Sequence, residues 1–115
     1  MADRIAVVPG QQVSVSADVK LEDLQAGPGG GDGFVITCHF YDRNSYLTWA
    51  RSDGILRSQD WTTESFECRA PDGASAVALG FRLSRCTGRA LVDDVELHAE
   101  APETTEERER YGLQP

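Results

Sequence analysis

Apolar and polar residues alternate along several short stretches of this chain. Residues 13–20 read Val-Ser-Val-Ser-Ala-Asp-Val-Lys, so that every second side chain is apolar. Successive side chains of a β-strand point to opposite faces, and this alternation therefore predicts a strand with one face in a core and the other in water. No comparable helical period occurs in residues 1–98.

Further strands are predicted from the same pattern and from the turn residues between them. Their ranges are 34–41, 61–70, 76–83 and 90–98, with two shorter strands near 46–50 and 55–57. The glycine-rich stretch 27–33 and the turn Pro71-Asp72-Gly73 are typical of connections between strands. Short strands at this spacing favour an all-β fold, an antiparallel β-sandwich or a barrel.

Composition and charge narrow the possible partners. The chain has 115 residues, of which 40% are hydrophobic and 26% charged, which suits one soluble domain. Its formal net charge of −8 argues against nucleic acid and against an anionic membrane, since both need a basic face. The sequence has neither a transmembrane run of 18 apolar residues nor a signal peptide at its start. We therefore expect a cytoplasmic protein, or a domain excised from a secreted one.

The chain divides into a body and an acidic tail. Residues 1–98 hold the predicted strands, whereas residues 99–115 contain five Glu and two Arg and almost no apolar face. We expect a flexible tail or a short helix there, because such a segment has little to pack against the body. The alternative is a docking peptide for another chain, anchored by Tyr111 and Leu113.

The three cysteines leave their chemistry open. Cys38, Cys68 and Cys86 are separated by 30 and 18 positions, and no CxxC pair is present to favour a structural zinc site. An odd number means that at least one thiol stays free or pairs between chains. The alternatives are buried thiols that act as small hydrophobic side chains, or one internal disulfide.

Short motifs in a particular order connect the chain to a known family. In order they are Val7-Val8-Pro9-Gly10, Phe40-Tyr41-Asp42, Asp60-Trp61-Thr62, Ala70-Pro71-Asp72-Gly73-Ala74 and Ala90-Leu91-Val92-Asp93-Asp94-Val95-Glu96-Leu97. With this order over residues 5–98, the chain resembles the jelly-roll carbohydrate-binding modules that have a galactose-binding-domain-like fold. The resemblance implies an antiparallel β-sandwich of the jelly-roll type and a non-catalytic module whose partner is carbohydrate.

One departure from that family concerns the start of the chain. Family members usually begin with further residues that hold one or two additional strands, whereas this chain starts shortly before the Val-Pro-Gly turn. Without those strands a sheet edge would carry unpaired backbone groups beside the core. We therefore expect a second copy of the chain, or another chain, to complete the sheet.

The outward faces of the strands supply the candidate ligand contacts. In jelly-roll modules one sheet holds a glycan cleft, where sugar rings stack on aromatic side chains and polar groups meet the hydroxyls. The predicted ligand-binding residues are His39, Tyr41, Trp49, Glu67, Arg69 and Arg82. Ala78 and Gly80 would face outward beside Arg82 and form the floor of a groove. Trp61 recurs in the family pattern, and we expect it to pack rather than bind.

Asp93 is the candidate metal ligand. The alternation in strand 90–98 places Leu91, Val95 and Leu97 on the inward face, together with Asp93. A buried carboxylate needs a cation or several hydrogen-bond donors. The resemblance implies a structural Ca²⁺ at this position, and the alternative is a hydrogen-bonded or surface pair of Asp93 with Asp94.

Two other functions remain open at this point. The first is a protein-assembly module that uses an exposed sheet edge and the acidic tail. The second is a small enzyme in which His39 performs acid–base chemistry with Glu67 or Arg82 across one sheet face. No hydrolase, metalloprotease, phosphate-loop or dinucleotide motif occurs, and no catalytic residue is assigned.

Overall fold

The computed structural model describes residues 4–43 and 45–100 of the chain, and every element in them is a β-strand. The strands are β1 (Arg4–Ala6), β2 (Gln12–Ala26), β3 (Gly33–Tyr41), β4 (Tyr46–Arg51), β5 (Gln59–Arg69), β6 (Ala76–Ser84) and β7 (Cys86–Glu100). Within these residues no helix is long and apolar enough to cross a membrane.

The strands form two antiparallel sheets that pack face to face. The four-stranded sheet has the order β1-β6-β3-β4, and the three-stranded sheet has the order β5-β2-β7. All the strand pairs are antiparallel. The prediction of an all-β, antiparallel β-sandwich is therefore confirmed.

The core lies between the two sheets and is built from alternate residues of the central strands. From β2 it receives Val13, Val15, Ala17, Val19 and Leu21, and from β3 it receives Phe34, Ile36, Cys38 and Phe40. Each fully buried aliphatic or aromatic side chain of this kind contributes roughly 1.5–3 kcal/mol of transfer free energy. The apolar residues of the alternation that predicted β2 are thus the ones on its buried face.

A β-bulge in β7 changes which side chains of that strand face the core. The pairing of β2 with β7 shifts register opposite Ala17, and Asp94 takes a positive φ of 49°. Val92 precedes the bulge and Leu97 follows it, yet both pack against the core. An extra residue between them resets the alternation, as β-bulges do.

The bulge overturns part of the predicted inward face. Leu91 and Val95 are 36% and 45% exposed, and Asp93 is exposed as well. The prediction that these three residues point inward with Leu97 is wrong, because an alternation read through a bulge loses its register.

Glycines allow the loop before β3 to cross the chain that follows β4. A Cβ atom at Gly33 would meet the carbonyl oxygen of Ile55, and one at Gly54 would meet the carbonyl oxygen of Asp32. Ile55 forms an isolated bridge with Phe34. The short strand predicted near 55–57 is therefore reduced to this single bridge.

Asp32 ties the same loop to the turn between β6 and β7. Its carboxylate accepts hydrogen bonds from Oγ of Ser84 at 2.8 Å and from Nη2 of Arg85 at 3.0 Å. The guanidinium of Arg85 and the hydroxyl of Ser84 hold the pKa of Asp32 below its ordinary value. The end of the sandwich is thus closed by a salt bridge between two connections.

Two sheet edges are unpaired on the side where β6 meets β7. β1 pairs only with residues 76–78, so residues 79–84 of β6 have β3 on one side and no described strand on the other. β7 ends its own sheet and follows β6 after the single residue Arg85. Leu79, Phe81 and Val92 are only partly buried near these edges.

Candidate functional site

Four aromatic rings and one guanidinium group form a cluster on the outer face of the four-stranded sheet. Its members, which we call the aromatic face, are Arg4, His39, Tyr41, Tyr46 and Trp49. The alternation of β3 places His39 and Tyr41 on the face opposite its core residues Phe34, Ile36, Cys38 and Phe40. Their cross-strand partners in β4 are Trp49 and Tyr46, so the pairing of two strands assembles four rings.

The four rings support one another. His39 stacks on Trp49 with centroids 6.0 Å apart and planes 9° from parallel, and it tilts against Tyr46 at 6.1 Å. Tyr41 meets the ring of Tyr46 edge-on at 5.6 Å. Aromatic pairs in these geometries contribute about 0.5–1.5 kcal/mol each beyond their buried area. The rings are therefore held in place before any ligand arrives.

Arg4 extends the aromatic face beyond β3. β1 pairs Arg4 with Ala78, and this register carries its guanidinium to 3.7 Å from the centroid of the Tyr41 ring. A cation–π contact at an exposed site is worth roughly 0.5–1 kcal/mol. The five N–H donors of the guanidinium remain a source of hydrogen bonds for a ligand.

Small residues of β6 shape the surface beside the rings. Ala78 lies opposite His39 and Gly80 lies opposite Thr37, and both face outward as predicted. Nε2 of His39 is hydrogen-bonded to Oγ1 of Thr37 at 3.1 Å. A Cβ atom at Gly80 would come within 2.6 Å of that Oγ1. Gly80 therefore leaves the space in which Thr37 orients His39.

Part of the aromatic face is open to solvent. Trp49 is 43% exposed and Tyr46 is 50% exposed, although both belong to a regular strand. Thr37 beneath them is 2% exposed. The result is a partly exposed aromatic surface with imidazole, phenol and guanidinium groups, which suits a ligand that has both apolar and hydroxyl-bearing faces.

The structure brings together only half of the predicted ligand-binding residues. His39, Tyr41 and Trp49 lie side by side, whereas Arg82 lies further along β6 and pairs with Val35. Arg82 belongs to the same sheet. It is four residues further along β6 than Ala78, which places it roughly 13 Å from the rings.

The other two predicted residues lie on the opposite sheet. Glu67 and Arg69 belong to β5, and the two sheets of a sandwich are roughly 10 Å apart. Glu67 accepts a hydrogen bond from Nε2 of Gln12, and Nη1 of Arg69 donates to the carbonyl of Gly10. Glu67 therefore cannot serve as the acid–base partner of His39 on one sheet face.

Trp61 lies in β5, where it is 50% exposed. The expectation that it packs in the interior is wrong. Thr62 pairs with the buried Val19, so the neighbouring Trp61 points away from the core. This places it on the sheet opposite the aromatic face.

Asp93 lies on an exposed part of β7, where its cross-strand partner is Asp18. The negative charges of Asp93 and Asp18 raise the pKa of the neighbouring Asp94. Among the described residues, no three His, Cys, Asp or Glu side chains are grouped so as to hold a metal ion. The Ca²⁺ prediction thus loses the buried carboxylate on which it depended and rests on the resemblance alone.

A separate cleft of about 480 Å³ opens between the sheets on the side of β4 and β5. Its lining residues are Phe34, Ile36, Arg51, Ser52, Asp53, Gly54, Ile55, Glu64, Ser65, Phe66 and Glu67. Within it, the carboxylate of Glu64 accepts a hydrogen bond from Nε2 of Gln59 at 3.1 Å. The cleft is distinct from the aromatic face, since no residue of the aromatic face lines it.

Two members of the aromatic face, Arg4 and Tyr46, are not among the predicted ligand-binding residues. β1 has three residues, all exposed, and such a short strand leaves no alternation to detect. Tyr46 stands at the start of a predicted short strand, and its cross-strand pairing with Tyr41 was the signal that would have included it.

No family model matches the chain, and no curated protein matches it.

Proposed function

We propose that the protein is a non-catalytic carbohydrate-binding module that holds a glycan on the aromatic face. The observation that carries the proposal is the exposed stack of Trp49 on His39, extended by Tyr46 and Tyr41. Trp61 is exposed as well, but no aromatic contact joins it to another ring among the described residues. Clustered exposed aromatic residues are a feature of binding surfaces.

Sugar chemistry matches the groups on this face. A pyranose ring has an apolar C–H face that can lie flat on Trp49 or Tyr46, and its hydroxyl groups need donors and acceptors at the rim. Arg4 supplies donors, and the Tyr41 hydroxyl both donates and accepts. Ala78, the cross-strand partner of His39, is a small residue on the same face, beside which the next sugar unit would lie.

Charge favours a neutral or hydroxyl-rich ligand over nucleic acid. Stacked rings also bind unpaired bases, but nucleic-acid binding needs basic groups along the phosphate backbone. The net charge of the chain is −8. The order of the sequence motifs, which resembles that of jelly-roll carbohydrate-binding modules, points to the same ligand class.

The proposal is tested by affinity electrophoresis and calorimetric titration against a panel of soluble polysaccharides. Trp49→Ala is expected to weaken binding at least tenfold, which corresponds to about 1.4 kcal/mol. Trp61→Ala is the matched control, because Trp61 is equally exposed but lies on the other sheet. Failure of the wild-type protein to bind any glycan would refute the proposal. Loss of binding in the Trp61 variant alone would move the site to the other sheet.

A second candidate function is assembly through the unpaired edges of β6 and β7. We propose a second copy of this chain as the occupant, with β6 of each copy beside β7 of the other. The support is charge complementarity, because β6 carries Arg82 where β7 carries Asp93, Asp94 and Glu96. Such a pairing would be self-complementary and closed, as in twofold dimers.

Light scattering over a range of protein concentrations tests the assembly proposal separately. A dimer that dissociates with the charge reversal Arg82→Glu supports it, and a monodisperse monomer at high concentration refutes it. Arg57→Glu provides a matched control, since Arg57 lies outside the strands on the described part of the chain. The outcome does not depend on glycan binding.

A further inference from the structure

The two sheets each contribute one inward-facing cysteine to the same region of the core. Cys38 belongs to β3 and is fully buried, and Cys68 belongs to β5 and packs against the core cluster. The cross-strand partner of Cys68 is Val13, which is itself buried in that cluster. β5 leads through the short turn after Ala70 into β6, whose first residue pairs with Tyr41, so Cys68 and Cys38 lie at the same end of the sandwich. Each of the two thiols shifts the pKa of the other.

Cys86 lies too far away to join them. It pairs with Ala26 at the end of β2, whereas Cys68 pairs with Val13 near its start. These two positions are thirteen residues apart on an extended strand, which is roughly 40 Å at the usual rise per residue. Cys38 is five strand positions, roughly 16 Å, from Gly33, which pairs with Ser84 just before Cys86. Cys38 and Cys68 are therefore the pair placed to form a bond.

We propose that Cys38 and Cys68 form a disulfide that links the two sheets under oxidising conditions, while Cys86 remains a free thiol. The structure describes the reduced form, with all three cysteines free. The bond would connect the central strand β3 to β5, which is an edge strand of the other sheet. It would therefore attach β5, which is paired with a neighbouring strand on one side only, covalently to the other sheet.

The reaction is thiol–disulfide exchange with a small disulfide such as oxidised glutathione. The more exposed Cys68 attacks the oxidant as a thiolate, and a mixed disulfide forms with release of one glutathione thiol. Cys38 then attacks the Sγ of Cys68, which displaces the second glutathione as a thiol. Two electrons pass from the cysteines to the oxidant, and the two protons end on the released thiols.

The environment of each thiol fits this order of events. The interaction with Cys38 lowers the pKa of Cys68, and the same interaction together with burial raises the pKa of Cys38. Cys68 is therefore the nucleophile of the first step. When its sulfur is in a mixed disulfide, the neighbouring thiolate that opposes ionisation of Cys38 is gone.

The test treats the full chain with oxidised glutathione, with a sample kept in a phosphine reductant for comparison. Tryptic digestion without reduction is expected to yield residues 21–43 joined to residues 58–69, the peptides that contain Cys38 and Cys68. Thiol titration in denaturant should give one thiol per oxidised chain and three per reduced chain. The melting temperature is expected to rise on the order of 10 °C and to fall again on reduction.

Matched variants separate the proposed pair from other chemistry. Cys86→Ser should keep both the cross-link and the redox-dependent melting shift, whereas Cys68→Ala should lose both. Cys68 is only partly buried, so its variant is less disruptive than a replacement of Cys38. A cross-link through Cys86, stable glutathione adducts without a cross-link, or three titratable thiols after oxidation would each overturn the proposal.

Discussion

The contact between Gly80 and Thr37 permits a direct test of how the aromatic face is held. We consider the variant Gly80→Ala. An alanine normally stabilises a strand relative to glycine, because glycine loses more conformational freedom on folding. Here the added Cβ would lie 2.6 Å from Oγ1 of Thr37, well inside van der Waals contact. The structure therefore predicts the opposite sign.

The size of the effect follows from the position of Thr37. Its side chain is 2% exposed and is hydrogen-bonded to His39, so it cannot rotate into open space. Overpacking of this kind costs about 1–3 kcal/mol, and loss of the Thr37–His39 hydrogen bond adds about 1 kcal/mol. We expect a net destabilisation of about 2 kcal/mol after the gain from replacing glycine, or roughly 10 °C in melting temperature.

Thermal and urea denaturation of four proteins measure this prediction. They are the wild type, Gly80→Ala, Thr37→Ala and the double variant. Removal of Oγ1 in Thr37→Ala relieves the clash, so the double variant should be less destabilised than the two single variants added together. An unchanged or raised stability in Gly80→Ala, or strict additivity, would refute the proposed packing of Thr37 against Gly80.

Two further predictions concern pH and the carboxylates. Asp32→Asn should lower the melting temperature at neutral pH, because Arg85 and Ser84 stabilise the ionised form of Asp32 and lower its pKa. The difference in melting temperature should shrink as the pH falls through the lowered pKa of Asp32, since the wild-type carboxylate then becomes protonated. Asp94→Asn should instead raise the melting temperature at neutral pH, because Asp93 raises the pKa of Asp94 and ionisation of Asp94 therefore disfavours the folded state. This increase in melting temperature should disappear below the ordinary pKa of Asp, where Asp94 is protonated in both the folded and the unfolded state. Melting curves recorded from pH 7 to pH 3 check both signs, and effects that do not change with pH would contradict them.

The strands that a regular alternation predicts are the ones that the fold contains. Residues 13–20 lie in the middle of β2, and the stretch 34–41 differs from β3 by one residue. Both strands have a neighbour on each side in their sheets. One face of β2 is buried, whereas residues 33–38 of β3 are buried on both faces. Local pattern and tertiary structure agree there because the core imposes the pattern.

Prediction failed where backbone geometry breaks the alternation or where contact comes from a distant strand. The positive φ of Asp94 marks a bulge that no side-chain pattern reveals. Because of this bulge, Asp93 is exposed where the alternation predicted a buried residue. Arg4 reaches Tyr41 only through the pairing of β1 with β6. Glu67 was grouped with His39 although strand order places it on the other sheet.

Intrinsic fluorescence tests the central claim most directly, since the chain has two tryptophans. Trp61→Phe leaves Trp49 as the reporter on the aromatic face, and Trp49→Phe leaves Trp61 on the opposite sheet. During titration with a glycan that the wild type binds, the first variant should show a saturable change in emission and the second should show none. A saturable change at Trp61 without one at Trp49 would contradict the assignment of the glycan to the aromatic face.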